Sequence, residues 1–322
     1  MKRKLFCGGL LFLVLLSSLS LAKAVLAEYP DKKIRLVVPW PPGGGTDVTA
    51  RTLAQYTNPH IGNRIYVENV PGAAAGVGTW EVAKAPADGY TLLMYSTSQV
   101  IGPNIQKDYP PYDLFDPICI VMLDPLVMTV KSDGPFKTIA DLLSYAKLHP
   151  GEVTVTTGGV GAVDHLAIEA FMAATGTKFT LVPNKGTAQS ITAVLGGHIQ
   201  VGMSGFSEPF TLIEGNKLRG LVHFGDKRSA YFPDVPSAKE LGYNVVTVTF
   251  RGMAVRRGTP DDIKKILDTA FRKGAENAEF KNSLQKIRME PIYIGASEGL
   301  AWVKERADFF KKVAAQVGLK PE

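Results

Sequence analysis

The sequence predicts an α/β protein of two lobes, each built on a parallel-rich sheet with helices and joined through a two-strand hinge. Three observations carry that reading. Short apolar runs alternate with helix-period segments along most of the chain, as in parallel sheets covered by helices. The alternation comes in two sets, separated by the extended apolar run 118–131. A second extended, β-branched run, 245–255, follows the second set, so two extended segments bracket it. The expected division is residues 28–122 with 249–322 in the first lobe and 123–248 in the second.

In the first set, Ile34–Val38 reads as a buried strand, and the Pro/Gly stretch 39–45 forbids helix until Thr46. Small and apolar residues then recur at helical spacing to Tyr56. Arg64–Glu68 is a second strand, Ala75–Ala85 a helix ended by Pro86, and Tyr90–Tyr95 a third strand. In the second set, helices are expected over 138–148, 163–175 and 187–195. Strands fall at 153–157, 179–182, 199–204 and 218–224, and a short helix at 208–214. The run 118–131 is expected to break at Asp124-Pro125, because proline cannot donate to a ladder. The tail is helical over 260–278 and 297–317.

The chain opens with Lys2, Arg3 and Lys4, then eighteen uncharged residues from Leu5 to Ala22, then small residues through Ala27. Cationic start, apolar middle and small-residue end make a secretory signal peptide over 1–27, cleaved after Ala27 or, as second choice, Ala24. An uncleaved anchor is the alternative, but the apolar run is short for a bilayer span. Four of the 36 basic residues lie in that leader, which has no acid, so residues 28–322 hold 32 basic against 30 acidic groups. That balance gives no support for a nucleic-acid binder. Removing the leader leaves Cys119 alone in an apolar run, which excludes an internal disulfide, a CxxC site and a cysteine metal cluster. The five histidines show neither HExxH nor close ligand spacing, and Gly205-Phe206-Ser207-Glu208-Pro209 lacks the second glycine of a nucleophile elbow. No cofactor, metal or catalytic residue is therefore expected.

Ligands of open α/β sheets bind beyond the carboxyl ends of the strands. The first strand runs into Gly43-Gly44-Gly45-Thr46-Asp47, where backbone N–H groups and a helix N-terminus favour an anion. It is neither a P-loop nor a GxGxxG fingerprint, and the competing reading is a turn with an N-cap. Gly158-Gly159-Val160-Gly161, leading to His165, is a similar element in the second set. Two such loops facing each other would clamp a carboxylate. Ser96, Thr97 and Ser98, after the third strand, add hydroxyl partners.

Residues 37–51, VVPWPPGGGTDVTAR, resemble the first signature of the substrate-binding receptors of tripartite tricarboxylate transporters, the Bug family. Residues 67–78, VENVPGAAAGVG, and 88–93, DGYTLL, are similar to the second and third. Pro183–Gly186, Leu195–Gly197, Phe232–Pro236 and Gly258–Pro260 follow in the family's order. The resemblance implies a type II-like periplasmic binding protein fold that closes on a small organic carboxylate and delivers it to membrane permease subunits, as a periplasmic monomer. It assigns ligand contacts to Gly43, Gly44, Gly45, Thr46 and Asp47, to Ser96, Thr97 and Ser98, and to Gly158, Gly159, Val160, Gly161 and His165. The chain departs from the family at Asn184, where tyrosine is frequent, at Ser204-Gly205, where Asp-Asn is frequent, and at Arg251, where an aromatic is common. Asn184, Ser204 and Arg251 are thus the candidates for setting ligand identity. By strand alternation Arg251 shares a face with Thr249 and can pair a second ligand carboxylate. A secreted hydrolase-like enzyme and a ligand sensor for a signalling partner are the alternatives.

Overall fold

The computed structural model describes residues 29–184 and 187–321. The proposed leader lies outside them. Strands are β1 Ile34–Val38, β2 Ile65–Asn69, β3 Thr91–Ser96, β4 Phe115–Lys131, β5 Thr154–Thr157, β6 Thr180–Pro183, β7 Val201–Gly205, β8 Leu218–His223, β9 Val248–Arg256 and β10 Glu290–Gly295. Helices are α1 Gly45–Thr57, α2 Gly76–Lys84, α3 Thr97–Ile101, α4 Ile139–Leu148, α5 Val163–Thr175, α6 Thr187–Leu195, α7 Phe210–Glu214, α8 Asp261–Glu276, α9 Ala278–Lys286 and α10 Ala296–Gln316.

β4 organises the molecule. It is continuous through Asp124-Pro125, where a break was expected. Pro125 lacks a donor, but its carbonyl still accepts from Phe206 N–H, so the strand passes through it. The N-terminal half of β4 lies between β9 and β10. Its C-terminal half lies between β7 and β8. On one side the path continues β9–β3–β1–β2, with β1, β2 and β3 parallel. On the other it continues β7–β5–β6, again parallel. Two parallel half-sheets thus meet through one long antiparallel strand and its partner β9.

β9 and β4 approach so closely at the register shift that a Cβ at Gly252 would collide with the Cys119 carbonyl. One apolar cluster, including Ile34, Leu36, Leu53, Phe271 and Phe280, packs β1 against α1, α8 and α9. A larger one joins Val155, Leu166 and Phe171 to Phe250 and Phe310. α10 contacts β4, α3 and also α5, so the C-terminal helix touches elements from both sequence sets. The sequence reading missed β10 and α9. Ile292 and Tyr293 of β10 are only partly buried, so their run lacks the apolar continuity of a central strand. α9 starts afresh one residue after α8, capped by the Asn277 side chain accepting from the Glu279 and Phe280 amides.

Candidate functional site

A cleft of about 890 Å³ opens between the two half-sheets. Its walls come from the loop entering α1, the start of α3, the middle of β4 and β9, the loop entering α5, and the segment after β7. The loops among them follow the carboxyl ends of parallel strands, and the antiparallel β4 and β9 form the floor. A second hollow of about 470 Å³, around Phe232 and Arg219, includes none of the glycine loops.

In the β1–α1 loop, Asp47 is buried and works within the loop. Its Oδ2 accepts from Gly43 N–H at 2.9 Å and from Arg51 Nε at 3.0 Å, and its Oδ1 from Asn69 Nδ2 at 2.9 Å. Burial pushes this carboxyl up, but the Arg51, Gly43 and Asn69 hydrogen bonds outweigh it, and the group is held below its ordinary value. Gly44 is the N-cap and is exposed. Gly45 and Thr46 face the cleft.

Ser96, Thr97 and Ser98 also line the cleft, as the start of a helix rather than a loop. Ser96 forms a capping box with Gln99, donating its hydroxyl to Oε1 at 2.9 Å. Thr97 Oγ1 accepts from Phe250 N–H at 2.9 Å and so ties α3 to β9. Both hydroxyls are engaged inside the protein.

The β5–α5 loop repeats the internal clamp with different electrostatics. Asp164 Oδ2 accepts from Gly158 N–H at 2.6 Å, and Oδ1 from its neighbour His165 N–H at 3.0 Å. No hydrogen bond or ion pair to a cation appears for Asp164 among the described residues, and burial raises its carboxyl despite the two amides. His165 Nδ1 accepts from Gly161 N–H at 2.9 Å, which fixes the tautomer of the neutral ring, and burial lowers the imidazole below its ordinary value. Gly161 (φ +79°) closes against Ile105 from across the cleft, with no room for a Cβ.

The remaining polar groups come from strands paired at the cleft floor. Arg251 on β9 donates from Nε to Thr46 Oγ1 at 3.1 Å, and its Nη1 lies against the sulfur of Met289 at 3.1 Å. No carboxylate among the described residues comes within 4.0 Å of it. Burial lowers the guanidinium, and the more distant Asp124 and Glu208 offset this. Asp124 is 4% exposed and accepts from the hydroxyl and the amide of Ser207. Burial raises it, against those two donors, the charge of Arg251 and the Phe206 amide. Glu208 opens to the cleft but is enclosed by its walls. That enclosure, with the charge of Asp124, raises it to about 7, while Thr187 and Gly205 pull it back. A side chain at Gly205 would collide with the Asp124 carboxylate, which accounts for glycine at that family departure.

The chain and its fold are paralleled in known proteins. The tripartite tricarboxylate transporter family receptor model, TctC, matches residues 49–319. The chain belongs to that family. A Cupriavidus necator UPF0065 protein is 33% identical over 306 residues, covering 92% of this chain and 91% of the relative. A TctC solute-binding protein from Polaromonas, solved without ligand, superposes with a TM-score of 0.83 at 31% identity, covering 89% of this chain and 99% of that one. An R. palustris protein solved with adipate superposes with a TM-score of 0.74 at 27% identity, covering 92% and 100%. The two-lobed periplasmic binding protein fold and the role of solute-binding receptor expected from the sequence are borne out.

Within the receptor, the cleft wall includes Gly45, Thr46, Ser96, Thr97, Ser98, Gly158, Val160, Gly161, Ser204 and Arg251 of the sequence candidates. Gly43, Gly44, Asp47, Gly159, His165 and Asn184 are not part of it. Gly43, Asp47 and His165 sit behind it, because their side chains or amides close the loops on themselves. Asn184 bonds Thr157 through its backbone amide, and its Nδ2 is buried without a partner among the described residues. Sequence reading missed Asp124, Asp164 and Glu208 as wall residues. Asp124 is the one acid in an otherwise apolar run through Val130, and that pattern is the signal that was available.

Proposed function

We propose that this receptor is exported by removal of residues 1–27, binds a small organic carboxylate in the cleft, and hands it to the membrane permease of a tripartite transporter. Residues 123–248 would close as the second lobe against 28–122 and 249–322. The observation that carries the ligand class is Arg251. A half-buried guanidinium with Nε on a hydroxyl and no acid within 4.0 Å among the described residues costs free energy unless an anion completes it. The helix N-terminus at Gly45 and Thr46 adds N–H groups beside it. The solved relative with adipate gives a precedent for a carboxylic acid in this fold. Among the described residues no helix is long and apolar enough to cross a membrane.

A thermal-shift series over mono-, di- and tricarboxylates and aromatic acids tests the reading. A true ligand at ~100 times its dissociation constant adds ~2.7 kcal/mol to stability. Intact mass of the periplasmic fraction tests export, and a chain retaining Met1–Ala27 in the membrane would overturn it.

A further inference from the structure

We propose that Arg288, outside the cleft wall, is a positioning residue whose guanidinium clasps an aromatic notch on residues 123–248 and biases the two lobes toward the arrangement seen here. The inference rests on the lobe division proposed above and adds the contact that sets its balance.

Arg288 stands where the backbone favours another residue. α9 ends in a turn in which Met289 N–H donates to the Leu284 carbonyl and Arg288 N–H to the Gln285 carbonyl, both at 3.0 Å. That is the Schellman pattern, and Arg288 holds the left-handed position that glycine usually fills. Its φ is +59°, a conformation that costs an L residue free energy. What its side chain gains lies on the other lobe. The guanidinium carbon is 4.1 Å from the centre of the Phe210 ring and 5.9 Å from that of Tyr231. No carboxylate among the described residues comes within 4.0 Å of Arg288, so the ring faces are what its cation meets.

The notch is braced from behind. Phe210 is buried, with its ring 5.0 Å from Phe232, and Phe232 stacks on Phe206 at 4.7 Å. The two halves of the clasp hang from different stretches of β4. Glu290, at the start of β10, pairs with Leu123, and Gly205, at the end of β7, pairs with Leu126. Beside the clasp in sequence, Met289 and Glu208 belong to the cleft wall. Met289 also meets Arg251 Nη1 through its sulfur at 3.1 Å. Joining Arg288 to Phe210 therefore fixes how far apart the two walls stand. When the lobes part, the stack breaks and the guanidinium returns to water.

The test reads the distance between lobes. The mature receptor would carry spin labels at Tyr66→Cys and Leu148→Cys, exposed positions on either lobe, while buried Cys119 stays unlabelled. Double electron–electron resonance is recorded ligand-free and with adipate. Arg288→Gly suits the left-handed turn, so circular dichroism should show the fold intact although the clasp is gone. Its open-to-closed ratio should rise about two- to fivefold over wild type, the range of a partly exposed cation–π contact. Phe210→Leu should do the same, and the double variant should add nothing further. Arg288→Lys keeps a cation over the ring and should retain part of the bias. A purely structural Arg288 predicts that glycine steadies the turn and leaves the distances as in wild type, and that result would overturn the clasp alone. One unchanging distance in wild type and every variant, with and without adipate, would overturn the lobe division along with it.

Discussion

The two glycine loops have the same architecture and opposite electrostatics. Each follows a parallel strand, and each is closed by an aspartate that accepts an amide from its own glycine: Asp47 from Gly43, Asp164 from Gly158. In the first loop Arg51 and Asn69 answer the charge, and Asp47 is held low. In the second the amides alone face Asp164, and burial raises it. The glycine-rich pattern thus specifies a self-closed turn in both places. The charge a loop shows to the cleft depends on which side chains arrive from elsewhere in the fold. The first loop is internally neutral and receives Arg251, whereas the second stands with Glu208 and Asp124 on the acidic wall.

The largest expected effect tests the cationic end. Arg251→Met keeps the aliphatic stem and removes the fork, and calorimetry with the identified ligand should show a loss of ~1.5–3 kcal/mol, the range for a charged hydrogen bond. Unchanged affinity would make the first loop's neutrality irrelevant to binding.

Next comes the same substitution in both loops. Every contact to the Asp47 and Asp164 oxygens comes from a donor, so asparagine must turn an amide toward one of them. Asp47→Asn also strands the half-exposed Arg51 and should cost about 1–2 kcal/mol in denaturant unfolding. Asp164→Asn removes a half-buried charge that no cation among the described residues balances, so its cost should be roughly 1 kcal/mol smaller. Equal losses would break the comparison.

pH sharpens it further. Asp47 is depressed on folding, so its contribution is present at neutral pH and is lost as pH falls through the acid range. Glu208 is raised to about 7, so its penalty appears as pH rises above the ordinary carboxylate value and is complete above about 7. The groups facing Glu208 are Asp124 and Asp164, which raise it, and Thr187 and Gly205, which lower it. Relative to Glu208→Gln, wild-type stability should fall by roughly 1 kcal/mol between pH 5 and 8, because the cleft's solvent screens much of the shift. A flat difference would mean that the acidic wall is fully solvated.

The smallest effect separates two adjacent glycines. A Cβ at Gly44 meets only the Pro41 carbonyl oxygen at 3.8 Å, whereas one at Gly45 lies 3.3 Å from Arg251 Nη2. Gly45→Ala should weaken binding several-fold by displacing the guanidinium, and Gly44→Ala should change stability and affinity by less than about 0.5 kcal/mol. The reverse order would return the anion to the exposed turn.

Much of this protein was legible in one dimension. Apolar runs at strand length and helical repeats between them mark β1, α1, β5 and α5 to within a residue or two, because local burial imposes local periodicity. The ordered signatures from Val37 onward carry the family for the same reason, since turn chemistry is written in consecutive residues. What periodicity could not convey was partnership. Pro125 passes through a continuous strand because of neighbours supplied by β7 and β9. Ser207 meets Asp124 from 83 residues away, and Arg251 meets Thr46 from 205. Asp47 and Asp164 read alike in sequence, yet the side chains that neutralise one and not the other are brought by the fold. A carboxylate's charge in a cleft is set by everything within a few ångströms of it, and only tertiary structure decides what that is.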